Sequence, residues 1–436
     1  MIDALGPGPD RRRSHLQGRP ISGLTGAVVL GLVLAGCSSA PSTASGNDSI
    51  AQPGATSTTD SRALPPESTE SSSPSPTVDP AVEQAAACVQ SAVEALSPAE
   101  RAGQLVMAGT PLTDADSVVS VMRKNHLGSV FLHGRSGRSA AGLKQEINRL
   151  PSVRAGDATI EPLVSIDQEG GAVQSLRGGR WGTLAKARVQ GTWSTARLSR
   201  MTGIWAKQLS RAGITMDLAP VADTVPSGTE RRNPPIGVFG REYGTDTTTV
   251  SRAITTVTTA LEKNKVIATV KHFPGLGRVT KNTDTSSGVV DTRTTANDAY
   301  LRPFQAGIDA GAGAVMISSA TYRRIDPDNR AVFSSKVITD LLREQMGYQG
   351  VVMTDDVGAA KAVTDVAAGQ RAVRFINAGG DLVLTVPSDQ ARTMMVAITK
   401  KAAVNKNFSK KVDASVTRVL TLKQKAGLLT CGKNQN

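Results

Sequence analysis

Eight short apolar runs recur along the chain, each separated from the next by a segment in which apolar residues fall at helical spacing. They occupy 104–108, 128–132, 162–167, 216–221, 266–272, 314–318, 350–355 and 381–386. The intervening segments at 116–124, 198–212, 246–263, 297–310 and 335–346 are amphipathic. Two of these helices run into Ala-Gly (Ala212-Gly213 and Ala310-Gly311), where a helix is expected to stop. Near-continuous apolar strands alternating with helices belong to a parallel sheet covered on both faces. Eight such repeats predict a closed (β/α)8 barrel of the TIM type, and residues 81–436 are numerous enough to build it as one domain. No Gly-x-Gly-x-x-Gly follows an early strand, which sets aside an open doubly wound sheet.

Polar residues stand at the C-terminal end of nearly every run: His133, Asp167, Asp223, Lys271-His272, Ser318-Ser319 and Asp355-Asp356. In a parallel barrel that rim is where chemistry is done. Lys271-His272-Phe273-Pro274-Gly275-Leu276-Gly277 delivers a cation and an imidazole from a buried strand straight into an irregular loop. Such a pair is suited to hydrogen-bonding a polyhydroxylated ligand. Asp167-Gln168-Glu169-Gly170-Gly171 ends the third run, and Arg241 lies in the Gly-rich stretch 233–244. Asp284 sits in the long loop after the fifth run, and Asp355 ends the seventh. Carboxylates facing one another across a sugar-sized pocket are what glycosidic cleavage needs, one as nucleophile while another group protonates the leaving oxygen. A single Asp at a strand end is more often a helix cap, and Asp356 fits that plainer role.

The N-terminal part reads differently. Arg11-Arg12-Arg13 and Arg19 precede an apolar segment, 21–36, that is short for a membrane span and ends in Leu34-Ala35-Gly36-Cys37. This resembles a bacterial lipoprotein signal, 1–37, with Cys37 as the lipidated residue. Two or more acyl chains anchor stably, so the expected location is the outer face of the cell membrane. Residues 38–80 are rich in Ser, Thr, Pro and Gly and nearly devoid of large apolar residues, the composition of a disordered tether. Three Cys occur in all, so lipidation of Cys37 leaves Cys88 and Cys431. In an exported protein the simplest arrangement is a disulfide between them, the alternative being two separate buried thiols. The net charge is +13, but aromatic residues are only 3% and no recognition motif accompanies the charge, so nucleic acid is not an expected partner. A monomer is expected.

Four ordered motifs carry a resemblance: Lys-His-Phe-Pro-Gly-x-Gly, Asp-Gln-Glu-Gly-Gly, the Asn-Pro-x-Ile-Gly…Arg-x-x-Gly loop and Val-Val-Met-Thr-Asp-Asp. Over 97–429 the chain resembles glycoside hydrolase family 3, most of all its single-domain β-N-acetylhexosaminidase branch. That resemblance implies retaining hydrolysis through a glycosyl-enzyme intermediate, without metal or cofactor, on amino sugars or muropeptides derived from the cell wall. It implies Asp355 as the nucleophile, Lys271, His272 and Asp167 as ligands of sugar hydroxyls, and Arg241 as a substrate contact.

Two departures accompany it. Where the branch has Asp-Ser-His, with the His as general acid/base, this chain has Asp284-Thr285-Ser286. A serine cannot protonate a leaving group at neutral pH. The proton then comes from Asp284 itself, from Glu169, from a group on another loop, or not at all. The family also places an Arg eight residues after Asp167, where this chain has Ser175, and Arg177 is the substitute the sequence offers. The leading expectation is an exo-acting β-N-acetylglucosaminidase. A weakened barrel that only binds sugar, or a β-glucosidase or phosphorylase of the same fold, are the other readings.

Overall fold

A computed structural model of the chain describes residues 79–432. The expected signal 1–37 with Cys37, and the tether up to residue 78, lie outside the described residues. The eight runs form eight strands: β1 (Val106–Pro111), β2 (Ser129–His133), β3 (Leu163–Ile166), β4 (Met216–Asp217), β5 (Ile267–Phe273), β6 (Ala314–Ile317), β7 (Val351–Thr354) and β8 (Val383–Thr385). All pair in parallel, in the order β7-β6-β5-β4-β3-β2-β1-β8. A bridge between Met353 and Leu382, with the Thr354 amide donating to the Leu382 carbonyl at 3.0 Å, joins the two ends of that order and closes the barrel. Closure leaves no sheet edge and puts β3 four strands from β7, on opposite sides of the rim.

The helices form because their apolar residues share one face and their ends are capped. In Thr247–Lys263, Val250, Ala253, Ile254, Val257 and Leu261 are buried, and Asp246 at its N-cap accepts from the Thr249 amide at 2.8 Å. Thr195–Arg211 is capped in the same way by Ser194. The segment Lys336–Gln345 departs from expectation in winding as a π-helix, with the Met346 amide reaching back five residues to the Leu341 carbonyl.

Three short strands that the apolar pattern does not announce lie at the other end of the barrel. Val153–Ala155 and Ala158–Ile160 form a hairpin, and Leu429–Thr430 pairs antiparallel with its second strand. Beside them a Cys88–Cys431 disulfide ties helix Pro80–Ala95 to the C-terminal segment. Among the described residues no helix is long and apolar enough to cross a membrane.

Candidate active site

The rim residues converge on one cavity at the C-terminal ends of the strands. Asp167, Arg241, Lys271, His272, Asp284 and Asp355 all line it, with Phe131, Leu218, Pro235 and Met316 among its apolar walls. Strand β5 delivers Lys271 and His272, both buried, across a cis peptide bond. The loop that follows must pass close under the β4 loop. A Cβ added to Gly277 would lie 1.9 Å from the Thr224 carbonyl oxygen, so only glycine fits there.

At the centre is a four-membered ion network. Lys271 Nζ lies 2.7 Å from Asp167 Oδ1 and 2.7 Å from Glu169 Oε1. Arg241 grips Glu169 with both sides of its fork, Nε to Oε2 at 2.8 Å and Nη2 to Oε1 at 2.7 Å. Two cations balance two carboxylates, and Asp167, Glu169 and Lys271 are buried. Burial opposes the charge on Asp167 and Glu169, but the neighbouring Lys271 and Arg241 outweigh it and hold both carboxyls below their usual range. Glu169 is driven to about 2, which removes it as a proton donor near neutrality. Its part is to fix Lys271 and Arg241.

A second buried pair orients the imidazole. His272 Nδ1 and Asp223 Oδ2 are 2.7 Å apart, and Asp223 also accepts from the Leu276 amide at 2.6 Å. With Nδ1 donating to Asp223, Nε2 is left as an acceptor on the cavity side, where Arg241 Nη2 approaches to 3.4 Å. Asp217 contributes a carboxyl that sequence reasoning passed over. It is fully buried at the end of β4, accepts from the Gln168 amide at 3.0 Å, and its Oδ2 has no hydrogen-bond partner among the described residues. Burial pushes it up to about 8, with Asp167 and Glu169 nearby adding to the shift. It is therefore protonated at neutral pH. An acidic residue inside a strand's apolar run was the only signal that could have found it.

The two carboxylates expected to react reach the cavity from different elements. Asp355 follows β7, and its amide donates to the Ile317 carbonyl at 3.2 Å, so the side chain is presented from a fixed backbone. Asp284 lies in the loop after β5, which is tied across to the segment after β7: the Lys361 amide donates to Asp284 O at 3.0 Å and the Ala362 amide to Thr283 O at 2.9 Å. Burial, and then the charge of Asp355, push the Asp284 carboxyl up from its ordinary range. A weakened acid facing a second carboxyl across one cavity is the kind of pairing that glycosyl transfer uses. Ser286 follows on the same loop, half-buried, with its amide bonded to the Asn282 carbonyl at 2.9 Å.

Asp356 is not the helix cap expected of it: a turn follows it rather than a helix, and the residue also lines the cavity. Its oxygens accept from the amides of Gly358, Ala359 and Val386 at 2.9, 3.0 and 2.8 Å, bracing the ends of β7 and β8. Arg177 does not join the site. It is exposed and is absent from the lining of the cavity, while Ser175 is buried. The segment 175–177 is zipped to the loop after β2, with the Ser136 amide donating to the Ser175 carbonyl and the Arg177 amide to the Ser136 carbonyl. That pairing fixes its side-chain directions. Among the described residues no group of three or more His, Cys, Asp or Glu is placed to hold a metal ion.

Comparison with known proteins gives a consistent result. The model of the glycosyl hydrolase family 3 N-terminal domain matches residues 98–422. A β-hexosaminidase of Xanthomonas oryzae pv. oryzae is 32% identical over 251 residues, covering 56% of this chain and 72% of its own length. Another β-hexosaminidase, from Stenotrophomonas maltophilia, is 31% identical over 289 residues, 64% of this chain and 81% of its own. The crystal structure of β-N-acetylhexosaminidase from Beutenbergia cavernae superposes with a TM-score of 0.71 at 43% identity, covering 74% of this chain and 98% of that one. A family 3 β-N-acetylglucosaminidase from a Paenibacillus species superposes with a TM-score of 0.69 at 28% identity, covering 78% of this chain and 65% of that one.

Proposed function

We propose that this chain, which belongs to glycosyl hydrolase family 3, is a retaining exo-β-N-acetylglucosaminidase acting on cell-wall-derived glycans. It is a glycoside hydrolase, and its relatives carry β-hexosaminidase names. The observation that carries the finer reading is the placement of Asp355 and Asp284 in one cavity, with Asp284 made a weaker acid by burial and by Asp355 itself. Asp355 attacks the anomeric carbon while the Asp284 carboxyl gives its proton to the leaving oxygen. Water then attacks the glycosyl-enzyme, Asp284, now a carboxylate, takes a proton from that water, and the bond from the sugar to Asp355 breaks. Asp167, Lys271, Arg241 and His272 Nε2 line the cavity where the ring hydroxyls would lie.

Export and anchoring belong to the same proposal. Residues 21–37 end in Leu-Ala-Gly-Cys, and the joined cysteines Cys88 and Cys431 suit an oxidising compartment.

The test is release of p-nitrophenol from p-nitrophenyl N-acetyl-β-D-glucosaminide by the wild type and by Asp355→Ala. Turnover by the wild type that falls to background in the variant is expected. Sugar binding without turnover in the wild type would return the chain to the binding-protein reading.

A further inference from the structure

Adjoining the sugar cavity is a second one, walled by Phe131, His133, Arg135, Ala172, Val173 and Ser175 and sharing Phe131 and Asp167 with the first. Its position follows from the barrel. Asp355 follows β7 and Asp167 follows β3, the strand opposite, and the second cavity lies on the β2–β3 side of the rim. A sugar with its anomeric carbon at Asp355 therefore directs the opposite end of its ring toward Asp167 and this space.

Charge distinguishes the two cavities. In the first, Lys271 and Arg241 are matched by Asp167 and Glu169. In the second, Arg135 has no carboxylate within ion-pair distance among the described residues. Its one hydrogen bond there, from Nη2 to the Ala172 carbonyl at 2.8 Å, leaves Nε and Nη1 for another acceptor. That bond also holds the guanidinium against the tip of the 168–174 hairpin, so the cation is positioned rather than trailing in solvent. Ala172 and Ser175 on the facing wall are small, and Arg135 and His133 are only half-buried, so the space opens to solvent. The charge of Asp167 at the boundary is met by Lys271 at 2.7 Å, which limits its repulsion of an anion beyond it.

We propose that this second cavity is a subsite for an oxyanion substituent, a sulfate or phosphate ester, on C6 of the sugar bound in the first, and that Arg135 is its specificity-determining residue. C6 is the exocyclic carbon on C5, next to C4, the ring atom opposite the anomeric carbon, and rotation about C5–C6 lets its ester reach past Asp167. A planar guanidinium with two spare donors matches two oxygens of such a group. The inference rests on the proposed function for the identity of the sugar.

The experiment compares 4-methylumbelliferyl N-acetyl-β-D-glucosaminide with its 6-sulfate, using the full chain and Arg135→Gln. The wild type is expected to cleave the sulfated probe with kcat/KM at least equal to that of the parent. The variant is expected to lower the sulfated-to-parent ratio at least tenfold, through KM. Refusal of the sulfated probe by a wild type that cleaves the parent overturns the proposal, as does a ratio unchanged in the variant. If neither probe is cleaved, the catalytic reading has failed and calorimetry decides the subsite on its own. Tighter binding of N-acetylglucosamine 6-sulfate than of N-acetylglucosamine, lost in Arg135→Gln, sustains it, and equal or weaker binding ends it.

Discussion

The ammonium of Lys271 sits 2.7 Å from the carboxylate of Asp167, and both groups are buried. With Glu169 and Arg241 they form a neutral cluster that prepares the floor of the cavity before any substrate arrives. Breaking one member leaves a buried charge without compensation, which costs more than the pair contributes when whole. Lys271→Ala is expected to destabilise the protein by about 3–5 kcal/mol. The ordinary pKa values of Asp167 and Glu169 are 3.8 and 4.5, and the folded values lie below them. The stability these groups contribute is thus fully present above that range and is lost as pH falls through the folded values. The gap between wild type and variant should therefore close in acid. Urea titrations from pH 7 down to pH 2 check this, the gap beginning to close below the ordinary values, and a gap that is constant with pH would contradict it.

Asp217 has the opposite sign. Its folded pKa of about 8 lies above the ordinary 3.8, so the folded state holds a proton that the unfolded state releases. Its cost to stability grows as pH rises from 3.8 and levels off above about 8. Asp217→Asn removes the titration while leaving an oxygen to accept from Gln168. The stability of the variant relative to wild type should rise with pH across that window, by up to roughly 1.4 kcal/mol per unit. Denaturation curves at pH 5 and pH 8 suffice. Parallel pH dependences would show that this carboxyl is ionised in the fold.

Asp284→Asn tests the proton donor. A leaving group of low pKa such as p-nitrophenolate departs with little acid help, whereas a sugar alkoxide needs the proton in the transition state. The variant is expected to lose the basic limb of its kcat/KM profile and to lose far more activity on N,N′-diacetylchitobiose than on the aryl glycoside. Added azide should restore turnover of the aryl substrate by intercepting the glycosyl-enzyme. Equal losses on both substrates, with the pH profile intact, would assign Asp284 to binding alone.

Cys88 and Cys431 are 343 residues apart, at the end of the barrel away from the cavity. Replacing both with Ser should cost about 2–5 kcal/mol by freeing the unfolded chain. Steady-state kinetics at 25 °C should be unaltered while the thermal midpoint falls. A change in KM would mean that the clamp acts on the rim.

Much of this architecture is readable in the residues. Each apolar run, from 104–108 to 381–386, lies over or beside one of the barrel strands, because strands buried on both faces have no polar alternation to disguise them. The rim residues Asp167, Lys271, His272 and Asp355 follow from those strand ends. What stayed illegible depends on side-chain direction and on contacts distant in sequence. Arg177 is near enough in the chain to replace a cation at Ser175, yet its pairing with the 136 loop turns it to solvent, while Arg135 arrives from the preceding strand's loop. Asp217 reads as a polar interruption in an apolar run, and only the fold shows that its Oδ2 is buried with no hydrogen-bond partner among the described residues. Glu169 looks like a second acid in sequence, and its neutralisation by Lys271 and Arg241 is a long-range property.

The central claim is that Asp355 becomes covalently glycosylated. An activated 5-fluoro N-acetylglucosaminyl fluoride, which forms the glycosyl-enzyme faster than it is hydrolysed, puts this to a direct test by mass spectrometry. The account predicts a mass increase of one fluorinated sugar on the intact protein, located at Asp355 by peptide mapping and absent from Asp355→Ala. Label on another residue, or turnover of the reagent with no covalent adduct at any time point, would contradict it.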